Sequence, residues 1–202
     1  MKTTGTNRPG PIRLTGGEAG GALIFSPPGL TARPALARVR AALFNMLGDV
    51  SGASALDLFA GTGALGFEAL SSGAASAVFF ERDPACLEAI RLTAEKLGMA
   101  GRAKIAPGDV FGEVARFAGA NADLAFVDPP YVLIDEPEER PKLLALLSML
   151  AASGAVRPGA LVVVEHRANV VLGAPPGLDA DDRRVYGQTA LAFFRCASGS
   201  RV

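Results

Sequence analysis

The sequence predicts an α/β fold built on a mostly parallel sheet of seven strands, the last two of which form an antiparallel hairpin. From residue 53 onward, short apolar segments alternate with longer segments whose apolar residues recur at helical spacing. This alternation is typical of a parallel sheet with helices on both faces. Near the carboxyl terminus, segments 183–186 and 190–194 flank the short stretch 187–189, which predicts the hairpin. The expected architecture is therefore Rossmann-like.

The alternation assigns five strands and four helices to the first part of this region. Ligands of such a sheet bind at the carboxyl ends of its strands, so the residues that directly follow each strand are the candidates for a functional site. The predicted strands are 54–59, 76–81, 103–107, 123–127 and 160–165, and the predicted helices are 63–71, 84–97, 110–118 and 138–152.

We predict that residues 1–48 form an N-terminal extension and that residues 49–202 form the main domain. Two apolar stretches separated by glycine pairs, 12–14 and 22–25, resemble a small hairpin. The apolar spacing that follows Pro34 predicts a helix that ends near residue 47.

The charge of the chain is unevenly distributed. The extension has six basic residues and one acidic residue, a net charge of +5, whereas the main domain carries −5. This asymmetry suggests that the extension contacts a polyanion. Three arginines flank the apolar face of its predicted helix, either as polyanion-facing charges or as ordinary solvated ones: Arg33, Arg38 and Arg40.

Composition limits the functional classes. The chain has 202 residues, half of them apolar, but no apolar run reaches the roughly 18 residues that cross a bilayer, and the first residues lack a signal-peptide pattern. We expect a cytoplasmic, monomeric protein that does not bind a membrane. Cys86 and Cys196 have no metal-ligand spacing and are expected to be buried thiols, so no metal is expected. The single histidine, His166, is expected at a solvated strand end.

The tetrapeptide Asp128-Pro129-Pro130-Tyr131 directly follows the predicted strand 123–127. Prolines fix the backbone and lack N–H donors, so the loop is stiff and its carbonyls can accept from a ligand. The Asp128 carboxylate and the Pro129 carbonyl can accept the two N–H groups of an exocyclic amine, and Tyr131 can stack on its ring. The motif predicts a site for a planar amine, although a simple proline-rich turn would have the same sequence.

A glycine-rich loop follows the first predicted strand. Gly61, Gly63 and Gly66 have the spacing G-x-G-x-x-G before a helical segment, and Glu81 ends the next strand 20 residues after Gly61. This pattern predicts an adenosine-containing cofactor, with Glu81 on the ribose hydroxyls and with Phe59 beside the loop. A nicotinamide dehydrogenase and an S-adenosylmethionine methyltransferase both fit the loop, but the amine-binding motif favours the methyltransferase.

Two further acids are candidate cofactor ligands. Asp57 lies four residues before Gly61, where its carboxylate can pair with the cationic amino group of a methionine moiety and would repel a pyrophosphate. Asp109 follows the third strand and can accept from the adenine amino group, with Val110 against the ring. Asp109 is equally suited to cap the next helix, and both roles can hold together.

Taken together, these motifs resemble the bacterial small-subunit ribosomal RNA guanine-N2 methyltransferases. The similarity runs from about Ile12 to Arg195. It implies a class I S-adenosylmethionine methyltransferase that methylates the exocyclic N2 of one guanine in 16S rRNA, with S-adenosyl-L-methionine as cofactor. The segments that carry the resemblance are 12–17, 33–34, 38–40, 43–45, 57–66, Glu81, 128–131 and 185–187.

The resemblance has gaps in the N-terminal extension. Ala35, Ala37 and Ala41 stand where the family tends to have Thr, Asp and Glu, and the segment 19–22 replaces a usual basic pair around a glycine. We expect these changes to affect RNA affinity more than methyl transfer, and we expect an assembled small ribosomal subunit to be a better substrate than free RNA. Three alternatives remain open: an adenine-N6 or glutamine-amide methyltransferase, a non-catalytic ribosome-assembly factor and the dehydrogenase.

Overall fold

The computed structural model describes residues 11–27 and 34–198. They form a seven-stranded sheet in the order β3-β2-β1-β4-β5-β7-β6. The strands are β1 (Ser54–Leu58), β2 (Ser76–Glu81), β3 (Ala103–Pro107), β4 (Ala122–Val127), β5 (Val156–Arg167), β6 (Leu178–Tyr186) and β7 (Thr189–Cys196). The helices are α1 (Pro34–Leu47), α2 (Ala64–Ser71), α3 (Pro84–Lys96), α4 (Val110–Glu113), α5 (Val132–Asp135) and α6 (Arg140–Ala152), with a 3₁₀ turn at Val114–Phe117.

The strand order reverses between β1 and β4. Strands β1 to β5 pair in parallel, whereas β7 pairs antiparallel with both β5 and β6. In an open parallel sheet, the point of reversal leaves a crevice at the carboxyl ends of the two central strands. The glycine-rich loop follows β1 and Asp128 follows β4, so the fold brings both motifs to this crevice. The predicted mostly parallel sheet with a terminal hairpin is confirmed.

The hydrophobic core has one part on each face of the sheet. Leu143, Leu147 and Leu150 of α6 pack on one face, and Phe67 of α2 and Leu43 of α1 pack on the other. Because both faces are covered, the central strands are buried almost without alternation. Packing on both faces of the sheet holds the strand ends that position the site.

The structure differs from the predicted elements at several places. Strand β6 starts at Leu178 rather than at residue 183. Its first half is an exposed, charged edge that pairs with β7. The prediction missed this half because it lacks an apolar pattern. The predicted helix 110–118 is divided into α4 and a 3₁₀ turn, and α5 was not predicted. In the extension, the expected hairpin is present but short: Arg13 and Leu23 form an antiparallel bridge, flanked by hydrogen bonds from the Leu14 N–H to the Ala22 carbonyl and from the Ile24 N–H to the Ile12 carbonyl.

The prediction for His166 was wrong. Strand β5 continues through Arg167, and His166 pairs with Ala190 of β7, so the imidazole is buried within the sheet and is 1% exposed. Its Nδ1 lies 2.8 Å from the Arg167 carbonyl oxygen, and burial lowers its pKa. Cys86 and Cys196 are buried free thiols, as expected. Burial raises the pKa of the Cys86 thiol to about 11, so this group stays protonated near neutral pH.

The described part of the chain shows neither a metal-binding cluster nor a membrane-spanning helix. Within it, no cluster of three or more His, Cys, Asp or Glu side chains has the arrangement of a metal site. None of the helices in residues 11–27 and 34–198 has the length and apolar character needed to span a bilayer.

Candidate active site

A cavity of about 780 Å³ opens at the carboxyl ends of the parallel strands. Its volume lies within the range of small-molecule and cofactor sites. One side is formed by residues at the carboxyl ends of β1, β2 and β3, and the other by residues after β4, by Glu165 within β5 and by Glu139 and Lys142 at the start of α6. The lining residues are Phe59, Phe80, Glu81, Arg82, Gly108, Asp109, Val110, Phe111, Asp128, Pro129, Pro130, Tyr131, Val132, Leu133, Glu139, Lys142 and Glu165.

Glu81 connects the glycine-rich loop to β2. Its Oε2 accepts from the Gly61 backbone N–H at 2.7 Å, and its Oε1 accepts from the backbone N–H groups of Arg82 and Asp83 at 2.7 and 2.8 Å. These three donors fix the carboxylate at the cavity wall. Phe59 also lines the wall and has a φ of 63°, an uncommon backbone conformation for a bulky residue.

Gly63 and Gly66 serve the packing of the loop rather than the wall of the cavity. A Cβ on Gly66 would lie 2.3 Å from the Phe79 ring, and a Cβ on Gly63 would lie 2.9 Å from the Phe67 ring. These two glycines allow α2 to start close to the sheet, whereas a Cβ on Gly61 would have no neighbour within 4 Å. The cavity lining itself includes neither Gly61 nor Gly63.

Asp57 lies behind the loop. Its side chain is 1% exposed, and Oδ2 accepts from the Gly66 backbone N–H at 2.8 Å. Burial, together with the nearby carboxylates of Asp128 and Glu81, raises its pKa well above its usual range. Its observed contact therefore supports the start of α2, a role that the sequence had not indicated.

The two residues predicted to contact the adenine, Asp109 and Val110, line the cavity where β3 ends. Asp109 lines the cavity and also caps α4, because its Oδ1 accepts from the Phe111 N–H at 3.0 Å. Its Oδ2 lies 3.3 Å from Nη1 of Arg82, an exposed ion pair at the rim. Val110 is buried and lines the same wall. The predicted capping role of Asp109 is confirmed.

All four residues of the Asp128-to-Tyr131 motif line the cavity on the side opposite Glu81 and Asp109. The Pro130 carbonyl accepts from the Leu133 N–H at 2.9 Å, which starts the turn into α5. The Pro129 carbonyl accepts no hydrogen bond from the described residues. The motif therefore offers a free carboxylate, a free carbonyl and an aromatic ring to one space.

Glu165 is a second carboxyl group at this place, and the sequence prediction missed it. It follows Val164, which pairs with Val127 immediately before Asp128, so the two acids lie near each other at the carboxyl end of β4 and two residues before the end of β5. Their side chains accept no hydrogen bond within residues 11–27 and 34–198. The rule that identified Asp57 and Glu81, an acid at a strand's carboxyl end, would have found Glu165 too.

The surrounding protein perturbs both acids. Asp128 is exposed where it lines the cavity, yet desolvation by the neighbouring walls raises its pKa to about 6. Desolvation and the charge of Asp128 raise the pKa of Glu165 to about 8, although the Arg40 cation opposes this. The pair therefore keeps a proton near neutral pH, since two close carboxylates resist ionising together.

Tyr131 stands at the rim of the cavity and is 42% exposed. The Arg167 guanidinium lies over its ring, with Cζ 4.2 Å from the ring centroid. Arg167 also donates from Nε to Oδ2 of Asp135 at 2.6 Å. No sequence pattern indicated Arg167, which lies two residues beyond the predicted end of its strand.

The assignment of Arg40 as a polyanion-facing charge was wrong. Arg40 is 8% exposed, its Nε donates to Oε1 of Glu68 at 2.7 Å, and its Nη2 donates to the Arg13 carbonyl. The same Glu68 oxygen accepts from the Thr15 N–H. Arg40 therefore links α1 both to α2, through Glu68, and to the earlier segment of the extension that contains Arg13. Arg38 is exposed, as expected of a surface charge, and Arg33 lies outside the described residues.

Comparison with known proteins agrees with this geometry. A family model described as Conserved hypothetical protein 95 matches residues 12–195. The chain is 32% identical over 197 residues to Ribosomal RNA small subunit methyltransferase D of Escherichia coli, covering 96% of this chain and 95% of that protein. It is 30% identical over 186 residues to the Bacillus subtilis protein named "Putative rRNA methyltransferase YlbH", covering 91% of this chain and 98% of that one.

A solved structure of the Escherichia coli protein titled "Putative methyltransferase yhhF" is 31% identical, with a TM-score of 0.76 over 94% of this chain and 100% of that chain. The resemblance inferred from the sequence and the class I methyltransferase fold are both confirmed. The chain belongs to the Conserved hypothetical protein 95 family of ribosomal RNA methyltransferases.

Proposed function

We propose that the protein transfers the methyl group of S-adenosylmethionine to the exocyclic N2 amino group of a guanine in 16S rRNA. One observation carries the proposal: a single cavity is lined both by residues suited to an adenosine-containing donor, such as Glu81 and Asp109, and by the Asp128-to-Tyr131 motif suited to a planar amine. The name of the Escherichia coli relative supports a small-subunit RNA substrate.

The donor side would be held by residues after β1, β2 and β3. S-adenosylmethionine supplies an electrophilic methyl group on its sulfonium sulfur. Glu81, fixed by three backbone N–H groups, keeps lone pairs that can accept from ribose hydroxyls. Asp109 and Val110 would contact the adenine, and Phe59 and the Gly61-to-Gly63 backbone would border the nucleoside. We retain Asp57 as a partner of the methionine ammonium group through Oδ1, since Oδ2 is bound to Gly66.

The acceptor side would orient the amine. The lone pair of a guanine amino group is delocalised into the ring, which makes the amine a weak nucleophile. The Asp128 carboxylate and the Pro129 carbonyl can accept its two N–H groups and direct the lone pair toward the methyl group. Pro130 holds the turn rigid, and Tyr131 stacks on the base, which offsets part of the cost of unstacking it by roughly 1–3 kcal/mol. Positioning supplies most of the acceleration.

The Asp128–Glu165 pair gives the released proton a destination. When the amine nitrogen forms a bond to the methyl group, it becomes cationic and must lose one proton. Asp128 accepts that proton, and the adjacent Glu165 keeps the pKa of the pair close to neutral. The open cavity then returns the proton to water. No further group is needed for this step.

Two alternatives from the sequence can be distinguished by the product. An adenine-N6 or glutamine-amide acceptor would use the same motif, while a non-catalytic assembly factor would need none of the free acceptors that Asp128 and Pro129 present. We also propose a monomeric, cytoplasmic enzyme whose extension, residues 1–48, contributes RNA contacts through Arg38 and Arg33, with an assembled subunit as the preferred substrate.

The test is methyl transfer from tritiated S-adenosylmethionine to free 16S rRNA and to small subunits from a methylation-deficient strain. We expect incorporation at one position, with subunits labelled faster than free RNA. An absence of incorporation into either RNA, by protein that binds the donor, would contradict the proposal.

A further inference from the structure

Arg167 occupies a distinctive place beside the cavity. It is the last residue of β5, its guanidinium covers one face of Tyr131, and Asp135 at the end of α5 holds its Nε at 2.6 Å. The side chains of Arg167 and Asp135 remain 40% and 32% exposed. A carboxylate and an aromatic face thus fix the orientation of a cation that is still open to solvent.

Arg167 covers only one face of Tyr131. Tyr131 lines the cavity, whereas Arg167 is absent from the lining. The guanidinium lies over one face of the ring, so the opposite face is left for a ligand. Because Tyr131 lines the cavity, this contact also places the guanidinium close to the space proposed for the base.

The hydrogen-bonding capacity of Arg167 is not used up. Within residues 11–27 and 34–198, its Nη1 and Nη2 groups have no acceptor, and only Nε is engaged. Two nearby arginines differ, because Arg140 donates to the Ile134 carbonyl and Arg183 donates to the carbonyls of Ala168 and Val170. Arg140 and Arg183 bind backbone carbonyls, whereas Arg167 retains two nitrogen groups that can donate to an external acceptor.

We propose that Arg167, oriented by Asp135, binds a backbone phosphate of the target nucleotide while the base of that nucleotide stacks on the cavity side of Tyr131. The proposal rests on the proposed transfer to RNA. A base that enters the cavity leaves its sugar and phosphates at the rim. A guanidinium fork matches phosphate oxygens, and prior fixation lowers the entropic cost of forming those bonds. The acceptor strand then meets the protein at the β4–β5 side as well as at the extension.

The chain contains a matched control for this ion pair. Arg157, at the start of the same strand β5, donates from Nε to Oδ1 of Asp123 at 2.6 Å, and the two side chains are 51% and 29% exposed. The two pairs have the same distance and similar exposure, but they lie at opposite ends of the strand, and Arg157 has no contact with the cavity. Arg157→Gln removes the same charge away from the proposed RNA path.

The experiment measures binding of the full-length protein to free 16S rRNA and to small subunits across a range of salt concentrations. We expect Arg167→Gln to reduce the slope of log K against log salt by roughly 0.7 to 0.9, the value for one lost phosphate contact. We expect the same variant to raise KM for the RNA substrate about 5- to 20-fold while S-adenosylmethionine affinity is unchanged. Arg157→Gln should behave as wild type. Asp135→Asn should raise KM less than Arg167→Gln, because the guanidinium stays but loses its orientation.

The possible results distinguish the role of Arg167 from the proposed methyl transfer. A wild-type salt slope and KM in Arg167→Gln, with active wild-type protein, would overturn the role of Arg167 and leave the proposed function intact. An inactive wild-type protein would contradict the proposed function instead. If Arg167→Gln lowers the melting temperature more than Arg157→Gln does, Arg167→Lys replaces it. The lysine keeps one phosphate-binding charge, so a normal salt slope with a raised KM supports the inference, and a normal KM refutes it.

Discussion

At the scale of single residues, the acceptor site depends on two carboxyl groups, Asp128 and Glu165, that accept no hydrogen bond from the described residues. Asp128 was evident from the sequence because prolines and an aromatic residue follow it. Glu165 was not singled out, although its place at the carboxyl end of the predicted strand 160–165 follows the same rule that identified Asp57 and Glu81. Their joint effect on protonation depends on β4 and β5 being neighbours, which a list of strands does not reveal.

The first prediction concerns Asp128. Asp128→Ala should reduce kcat for methyl transfer by at least 10²-fold, because the acceptor amine loses both an orienting partner and its proton acceptor. Affinity for S-adenosylmethionine, measured by calorimetry, should change little, since the donor side of the cavity is intact. Activity within a few-fold of wild type would remove Asp128 from the mechanism.

The second prediction concerns stability against pH. The pKa of Glu165 is raised from 4.5 to about 8 in the folded protein, so the folded state binds more protons than the unfolded state between these values. The contribution of Glu165 to the free energy of unfolding is therefore fully present below pH 4.5 and is lost as the pH rises toward 8. Glu165→Gln should match the wild-type melting temperature at pH 4 and exceed it at pH 8. Equal melting temperatures at both pH values would show that Glu165 is not perturbed.

At the scale of elements, the extension is joined to the main domain through α2. Ser71 donates to the Gly16 carbonyl, and a Cβ on Gly17 would lie 1.9 Å from the Ser71 carbonyl oxygen. The glycine pair in the extension therefore permits a close backbone approach. The sequence analysis interpreted these glycines as part of a hairpin. The structure shows that glycine is needed here because the backbone contacts α2, a helix about 50 residues away in the chain. A local sequence pattern cannot indicate such a distant contact.

The third prediction distinguishes two arginines of α1. Arg40→Ala should lower the free energy of unfolding by about 3–5 kcal/mol, because it leaves the fully buried Glu68 carboxylate without its cationic partner. Arg38→Ala, on the exposed side, should change it by no more than about 0.5 kcal/mol. Chemical denaturation of the two variants in parallel measures the difference. Similar stabilities would mean that the Arg40–Glu68 pair does not hold the extension in place.

The fourth prediction concerns the glycine-rich loop. Gly66→Ala should destabilise the protein by about 1–3 kcal/mol and weaken donor binding, because its methyl group would overlap the buried Phe79 ring at 2.3 Å. Gly112→Ala in α4 is the matched control, since a Cβ there has no neighbour within 4 Å. That substitution should be neutral or slightly stabilising in thermal unfolding. Equal effects of the two would indicate that α2 can move away from β2.

At the scale of the whole molecule, the charge asymmetry is smaller on the surface than in the sequence. Of the six basic residues in the extension, Arg40 is buried, and Lys2, Arg8 and Arg33 lie outside the described residues. On the main domain, many exposed arginines are paired with acids, such as Arg91 with Glu88 and Glu95. A neutral protein with paired charges has little long-range attraction for RNA, which is why a shaped, assembled subunit is the expected substrate.

The sequence predicted the architecture because β1 to β4 are apolar segments separated by helices of ordinary length. It predicted the donor and acceptor motifs because glycine and proline leave distinct patterns. It did not predict the burial of His166 and Arg40 or the position of Arg167, since these depend on which strands and helices are neighbours. Tertiary pairing decides whether a polar side chain is a surface charge, an internal partner or a ligand.

We propose that the donor and a guanine amine meet in one cavity, and the methylated nucleoside identifies the amine that receives the methyl group. After incubation of S-adenosylmethionine and wild-type protein with small subunits from a methylation-deficient strain, the 16S rRNA is digested to nucleosides and analysed by mass spectrometry. We predict N2-methylguanosine at close to one residue per subunit, and none with Asp128→Ala. Methylated adenosine in place of methylated guanosine, or no methylated nucleoside from protein that binds the donor, would contradict the account.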